Sequence, residues 1–199
     1  MSNLSVTIQG INSLLDLKDL PRKSQIAAQR AVNQTLRNTR AKSGRMLRQE
    51  VAFPARYLTG ADGKIEQFSA SAGKLEGKLV AASRPTGLAR FVTNPNAKRG
   101  KLRVEVQPGG QRTLPGAFML GLGKAGGEAS MLAVRSPGKP SGAYRPRRLG
   151  KSLWLLYGPS VAQALLGASG RKGIWPDMEG EIAAALEKEY LRQLGLENI

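Results

Sequence analysis

The sequence predicts an α+β fold: a long N-terminal helix packed on an antiparallel β-sheet, with a C-terminal helix and long basic loops. Three observations point there. From Arg22 to about Glu50 there is no proline and a single glycine, Gly44, and the residues sort onto two faces at helical spacing. The middle of the chain carries short alternating runs separated by Gly- and Pro-rich turns. Near the C-terminus, Met178, Ile182, Ala185, Leu186 and Leu194 return to helical spacing. The length of 199 residues fits one domain, 1–199, with a Gly/Pro-rich basic loop region at about 121–151.

Taken in order, Ser5 to Gln9 alternates apolar and polar and stops at Gly10, which predicts a short strand. Ile11 to Leu20 is ambiguous, with Leu14, Leu15 and Leu17 able to form a helical turn. Pro21 suits the start of the long helix. On that helix Ala28, Val32, Thr35, Leu36, Thr39, Met46 and Leu47 share one side, whose small residues suit close packing on a sheet. Lys23, Arg30, Arg37, Arg45 and Arg48 share the other, with Arg40 flanking.

Pro54 closes the helix and Ala55 to Leu58 can start a short segment. Strands are predicted at Lys74 to Ala82, at Leu88 to Thr93 and at Leu102 to Val106, the last two joined as a hairpin by Asn94 to Gly100. Ala117 to Leu120 and Met131 to Arg135 form a further pair around a loop from Gly121 to Glu128. Lys139 to Lys151 is a basic loop or arm with five bases and no acid. Leu153 to Tyr157 is an apolar strand, Ser160 a cap for a helix over Val161 to Leu166, and Asp177 a cap for the last helix.

Composition removes several kinds of chemistry. The chain has no cysteine, so disulfides, thiolate metal sites and cysteine nucleophiles are excluded. It has no histidine, which takes away the commonest general base and metal ligand. No cofactor or metal site is expected. Aromatic residues are only 5% of the chain, so the core must be built mainly from Leu, Val, Ile and Ala. The opening MSNLSVTIQG lacks the basic start and apolar run of a signal peptide, and no run is long enough to span a bilayer, so the reading is a soluble protein made in the cytoplasm.

The formal charge of +17 is unevenly spread. Residues 174–199 hold six acids and two bases, while everything before them is strongly basic. A basic body attracts nucleic acid, an anionic membrane or an acidic protein partner, and the acidic tail can dock on a basic surface of a neighbouring copy. The basic helix face can be read simply as the solvated side of an amphipathic helix. Against that, no acid occurs between Asp19 and Glu50, so the usual Glu–Lys pairing at i,i+4 is unused and like charges face one another.

Motif matches are few. Gly121-Leu122-Gly123-Lys124-Ala125-Gly126 fits G-x-G-x-x-G, but no acid follows about 20 residues on, so a hairpin tip is the better reading. Ser71/Lys74, Ser136/Lys139 and Ser169/Lys172 fit S-x-x-K without its companion motifs and read as turns. Tyr57, Phe91, Phe118 and Tyr144 are scattered, unlike the paired aromatics of an RNA-binding sheet.

Three segments carry a resemblance. Ala28, Ala31, Val32, Asn33, Gln34 and Thr35 form an Ala-x-x-Ala-Val-Asn-Gln-Thr run, Leu114-Pro115-Gly116-Ala117-Phe118 precedes Val134-Arg135, and Leu156-Tyr157-Gly158-Pro159-Ser160-Val161 follows. In content, order and spacing they resemble the phage minor tail protein Z family, the tail-completion proteins of lambda-like phages, over roughly Ile26 to Val161. The resemblance implies a non-enzymatic virion protein at the top of the tail. It implies a homo-oligomeric, hexameric ring around the DNA path, against tail terminator, head-completion or connector proteins, with no membrane partner.

On that reading the candidate DNA- or partner-facing bases are Arg30, Arg37, Arg45, Arg48, Arg145, Arg147, Arg148 and Lys151. The candidate subunit-interface residues are Phe118, Tyr157, Glu179, Glu181, Glu187 and Glu189. The alternative is a sequence-nonspecific nucleic-acid-binding protein outside any virion.

Overall fold

The computed structural model describes residues 4–9, 21–60, 63–71, 74–121, 130–140, 145–168 and 171–197. The expectations for Ile11 to Leu20, for most of the glycine-rich loop, for Tyr144 and for Ser169 lie outside those residues. The fold is α+β, with two long helices and small antiparallel sheets. The chain divides into two compact units, Met1–Met46 with Ala55–Ser83 and Ala162–Ile199, and Leu47–Pro54 with Arg84–Val161.

The first unit is organised by α1 (Arg22–Glu50), of which the residues from Leu47 on belong to the second unit. Its buried residues include Ala27, Ala28, Ala31, Val32, Thr35, Leu36, Thr39 and Ser43, the i, i+3, i+4 pattern of one helical face. Lys23, Arg30, Arg37, Arg45 and Arg48 are exposed opposite. A three-stranded sheet, ordered β1-β3-β2, is built from β1 (Leu4–Gln9), β2 (Ile65–Phe68) and β3 (Glu76–Ala81). The helix comes very close to β3 at Gly77, where an added Cβ would lie 2.9 Å from Val32 Cγ1 and 3.1 Å from Leu36 Cδ2. The break that Gly77 puts in the alternation of β3 is therefore the seat of the helix.

Polar groups fix the remaining freedom. Asn33 Nδ2 donates to the Ala70 carbonyl at 3.1 Å and Asn33 Oδ1 accepts the Ala70 N–H at 2.7 Å, a two-way clamp on the segment after β2. Arg40 donates to the carbonyls of Ile65 at 2.9 Å and Thr59 at 3.0 Å, tying α1 to the start of β2 and the end of α2 (Ala55–Thr59). Arg40 thus belongs to the fold, apart from the basic stripe it flanks in sequence.

The C-terminal helix α4 (Trp175–Glu197) buries Met178, Ile182 and Leu186, and Leu186 packs with Ala31, Val32, Ala70 and Tyr190. Ser43 Oγ meets Met178 Sδ at 3.7 Å. The helix begins at Trp175, two residues before the expected cap. Asp177 instead sits in its first turn, where a carboxylate favours the helix dipole, and pairs with Lys172. Ahead of it lie α3 (Val161–Leu166), as expected, and the two-residue strands β10 (Gly167–Ala168) and β11 (Arg171–Lys172).

The second unit holds a hairpin, β4 (Arg103–Glu105) with β5 (Gln111–Thr113), and a four-stranded sheet. That sheet has the order β6-β7-β9-β8, from β6 (Ala117–Gly121), β7 (Ser130–Arg135), β8 (Arg145–Arg148) and β9 (Leu153–Tyr157). Three expectations are corrected here. Leu88 to Thr93 is not a strand, because Leu88–Phe91 is a 3-10 turn. Leu88 and Phe91 are both buried, and a spacing of three puts them on one side of such a turn, whereas a strand would set them on opposite faces.

The expected hairpin partner of Leu102 to Val106 consequently reduces to a single bridge, Val92 with Val104. The ladder partner is β5, whose three residues are all exposed and so left no apolar period to read. Finally, Arg145 to Arg148 is not loop but the edge strand β8, with Arg145 opposite Tyr157 and Arg147 opposite Leu155. Pro146 is tolerated because an edge strand has one side without ladder hydrogen bonds.

Asn33→Ala should lower unfolding free energy by about 1–3 kcal/mol, since the buried Ala70 N–H loses its acceptor while its carbonyl keeps only the longer bond from Gln29 Nε2 at 3.3 Å. Thr35 Oγ1 is buried with no hydrogen-bond partner among the described residues. Thr35→Val, which keeps the shape and removes that hydroxyl, should leave the melting temperature unchanged or raise it. Urea unfolding of both variants beside the parent chain measures each effect.

Candidate functional site

The candidate residues fall on three surfaces. The first is the basic stripe of α1. At about 100° and 1.5 Å per residue, Arg30, Arg37, Arg45 and Arg48 lie within an arc of roughly 80° along about 27 Å. Arg37 Nη2 donates to Gln34 Oε1 at 2.6 Å, which steadies its guanidinium without neutralising it. All four are exposed. A row of this length is compatible with several phosphates and shows no device for reading bases.

The second surface is one face of the four-stranded sheet. Residues directly opposite on antiparallel strands project from the same face. Arg147, Leu155, Ala133 and Phe118 form one such row across all four strands. Arg145 with Tyr157, Met131 with Leu120, and Leu153 with Arg135 extend the same face. Ala133, Leu155 and Tyr157 form its buried centre, and Phe118, Leu120, Met131 and Leu153 are half-buried around them. Tyr157 keeps only 9% of its surface exposed, so most of its ring serves this cluster. The Arg99 and Arg135 guanidiniums lie 5.5 Å and 6.0 Å from the Phe118 ring centroid, in cation–π contact.

Arg148 projects from the opposite face. It lies 5.9 Å from the Trp154 ring and donates to the carbonyls of Gly150 at 3.1 Å and Lys151 at 3.0 Å. It closes the turn between β8 and β9, and Lys151 is exposed within that turn. The structure therefore separates the four basic candidates Arg145 to Lys151, with Arg145 and Arg147 together, Arg148 holding a turn and Lys151 at its tip. What the sequence reading missed was Arg99 and Arg135, and the alternation of β8 was the signal available for the separation.

The third group of candidates lies on α4, with Glu179, Glu181 and Glu187 exposed and Glu189 half-buried. Glu181 pairs with Lys42, and Glu189 accepts from Arg192 at 2.6 Å and 2.9 Å and from Gln193 at 2.8 Å. Those bonds lower the Glu189 carboxyl from its ordinary 4.5 to about 2, the Arg192 hydrogen bond being the largest cause. Glu179 and Glu187 are exposed and have no ion-pair partner among the described residues. In the second unit Glu105 is engaged with its own hairpin. It accepts the Gly109 N–H at 2.8 Å and a Gln111 hydrogen at 3.1 Å, which lowers its pKa.

Among the described residues no group of three or more Asp or Glu is placed to hold a metal ion, and no helix is long and apolar enough to cross a membrane. No family model, curated protein or solved structure matches the chain.

The lowered Glu189 sets a pH dependence. A depressed folded pKa contributes stability above the unfolded value, and that contribution is lost as pH falls from about 4.5 towards about 2. Glu189→Gln should therefore be less stable than the parent at neutral pH, with the gap closing across that window in urea titrations at stepped pH.

Proposed function

We propose that this protein is a structural subunit of a tailed-bacteriophage virion. On this reading it is a minor tail or tail-completion protein, forming a ring at the head–tail junction around the DNA path. The observation that carries the reading is the division of charge within one chain. Between Arg84 and Val161 there are fourteen bases and two acids, while α4 bears six acids and two bases. A chain with two such surfaces is suited to binding its own neighbour head to tail, and a basic lining tolerates a polyanion in the channel.

The segments that resemble the tail-completion family lie where the fold depends on them. Asn33 clamps Ala70, Ala117 and Phe118 open β6, and Gly158 donates its N–H to the Thr86 carbonyl at 2.8 Å. The proposed neighbours are tail terminator, head-completion or connector proteins. The chain works without cofactor or catalysis and is made in the host cytoplasm before incorporation.

The acid-free stripe of α1 favours a second reading, sequence-nonspecific nucleic-acid binding outside the virion. Quantitative peptide mass spectrometry on purified particles, with heads and tails separated, distinguishes the two. The virion reading expects a ring's worth of copies in the tail or neck fraction. Absence from particles overturns it. Tight DNA binding by the isolated chain, weakening steeply with salt and relieved by Arg37→Glu with Arg45→Glu, would then favour the second reading.

A further inference from the structure

The charge division leaves open which basic surface receives the acidic helix. Two are available, the stripe of α1 and the sheet face of the second unit. The α1 stripe is charge without apolar surface, whereas the outer side of α4 is not purely charged. Gly180, Ala184, Glu187 and Leu191 follow one another at i, i+4, i+7 and i+11, all exposed, and Leu191 is 61% exposed. A leucine this open on a helix whose other side already buries Met178, Ile182 and Leu186 has no role in the fold of its own unit. Glycine and alanine beside it let another backbone come near.

The sheet face has the complementary make-up. Its centre of Ala133, Leu155 and Tyr157 is already buried, and the half-buried Phe118, Leu120, Met131 and Leu153 around it offer apolar surface to an incoming group. The 3-10 turn of Leu88–Phe91 lies over the other face, where a Cβ at Gly158 would meet Phe91 at 3.0 Å and Leu88 at 3.5 Å. Arg145 and Arg147 line the β8 edge of this face, with no ion-pair partner among the described residues. Dimensions agree as well. From Glu179 to Leu191 the helix runs about 18 Å, and four strands cover about 14 Å across with lengths near 17 Å.

Resting on the ring reading, we propose that the outer side of α4 from one copy docks on this sheet face of the next. Leu191 seats against the half-buried Phe118 and Leu120 at the β6 side of that face, and Glu187 and Glu179 meet Arg147 and Arg145. The contact joins two different surfaces, so it is heterologous and propagates from copy to copy until it closes.

The absence of native cysteine makes the test clean. Full-length chains carrying Leu120→Cys and Leu191→Cys separately are mixed and mildly oxidised, and a chain carrying both is treated alike, in solution and in purified particles. The proposal expects a linked dimer from the mixture, little from either single variant, and a ladder of multimers from the double variant. Adding Arg147→Glu should cut the linked fraction at least tenfold, and adding Glu187→Arg to that chain should restore most of it. Circular dichroism confirms that each variant is folded.

No mixed dimer in either setting, or dimers formed as readily by one single variant alone, overturns the contact. So does a charge swap that fails to rescue while Arg147→Glu weakens DNA binding, which assigns the face to nucleic acid. A protein present in the neck fraction without the cross-link sinks this interface and leaves the ring reading standing.

Discussion

The first unit depends on how close α1 can come to the sheet beneath it. Val32 and Leu36 reach the sheet only because position 77 has no side chain. Once that approach is made, Asn33 is carried to the Ala70 backbone and Arg40 to the Thr59 and Ile65 carbonyls. On the same helix Ala31 and Val32 become the floor for Leu186 of α4. The hydrogen bonds are consequences of the packing, since each needs its donor within about 3 Å of a fixed carbonyl. A wider separation would lose the apolar burial and the polar clamps together.

The second unit solves a different problem, that of carrying many like charges at close quarters. Exposed charges further apart than about 8–10 Å are largely screened at physiological salt. The guanidiniums of Arg99 and Arg135 over one phenyl ring are nearer than that to a common point, and the ring's negative face offsets part of their repulsion. Arg148 is neutralised in part by two carbonyl acceptors. Of the two described acids of this unit, Glu50 and Glu105, the latter is held by its own turn. Charge is thus stabilised locally by rings and backbone dipoles, which leaves the net field of the unit positive and directed outward.

Legibility in the sequence followed the size of the periodic signal. The helix over Arg22 to Glu50 was readable because its small buried residues repeat for several turns, and its exposed arginines followed from the same repeat. The pair of strands around the glycine-rich loop was readable from two short apolar runs flanking that loop. The strand β5 was not, because Gln111, Arg112 and Thr113 bury nothing and are held by backbone pairing alone. The strand β8 was hidden by its proline and arginines, which look like loop until the apolar partner β9 is known. Arg99 entered the candidate surface through a tertiary contact with Phe118, and no spacing in one chain announces such a contact. The candidate surfaces were therefore legible as composition, and their division into faces was not.

The edge at β8 has a consequence for how such a chain survives being concentrated. A bare sheet edge is a template on which another extended chain can crystallise, and that hazard grows as a chain is concentrated. A residue with no N–H at the centre of that edge and three guanidiniums along it spoil the template. Strand addition is closed off at this edge, while β6 remains the other edge of the same sheet. Any association on the β8 side must then come from side-chain surfaces that fit, and geometry, not unpaired backbone, limits it.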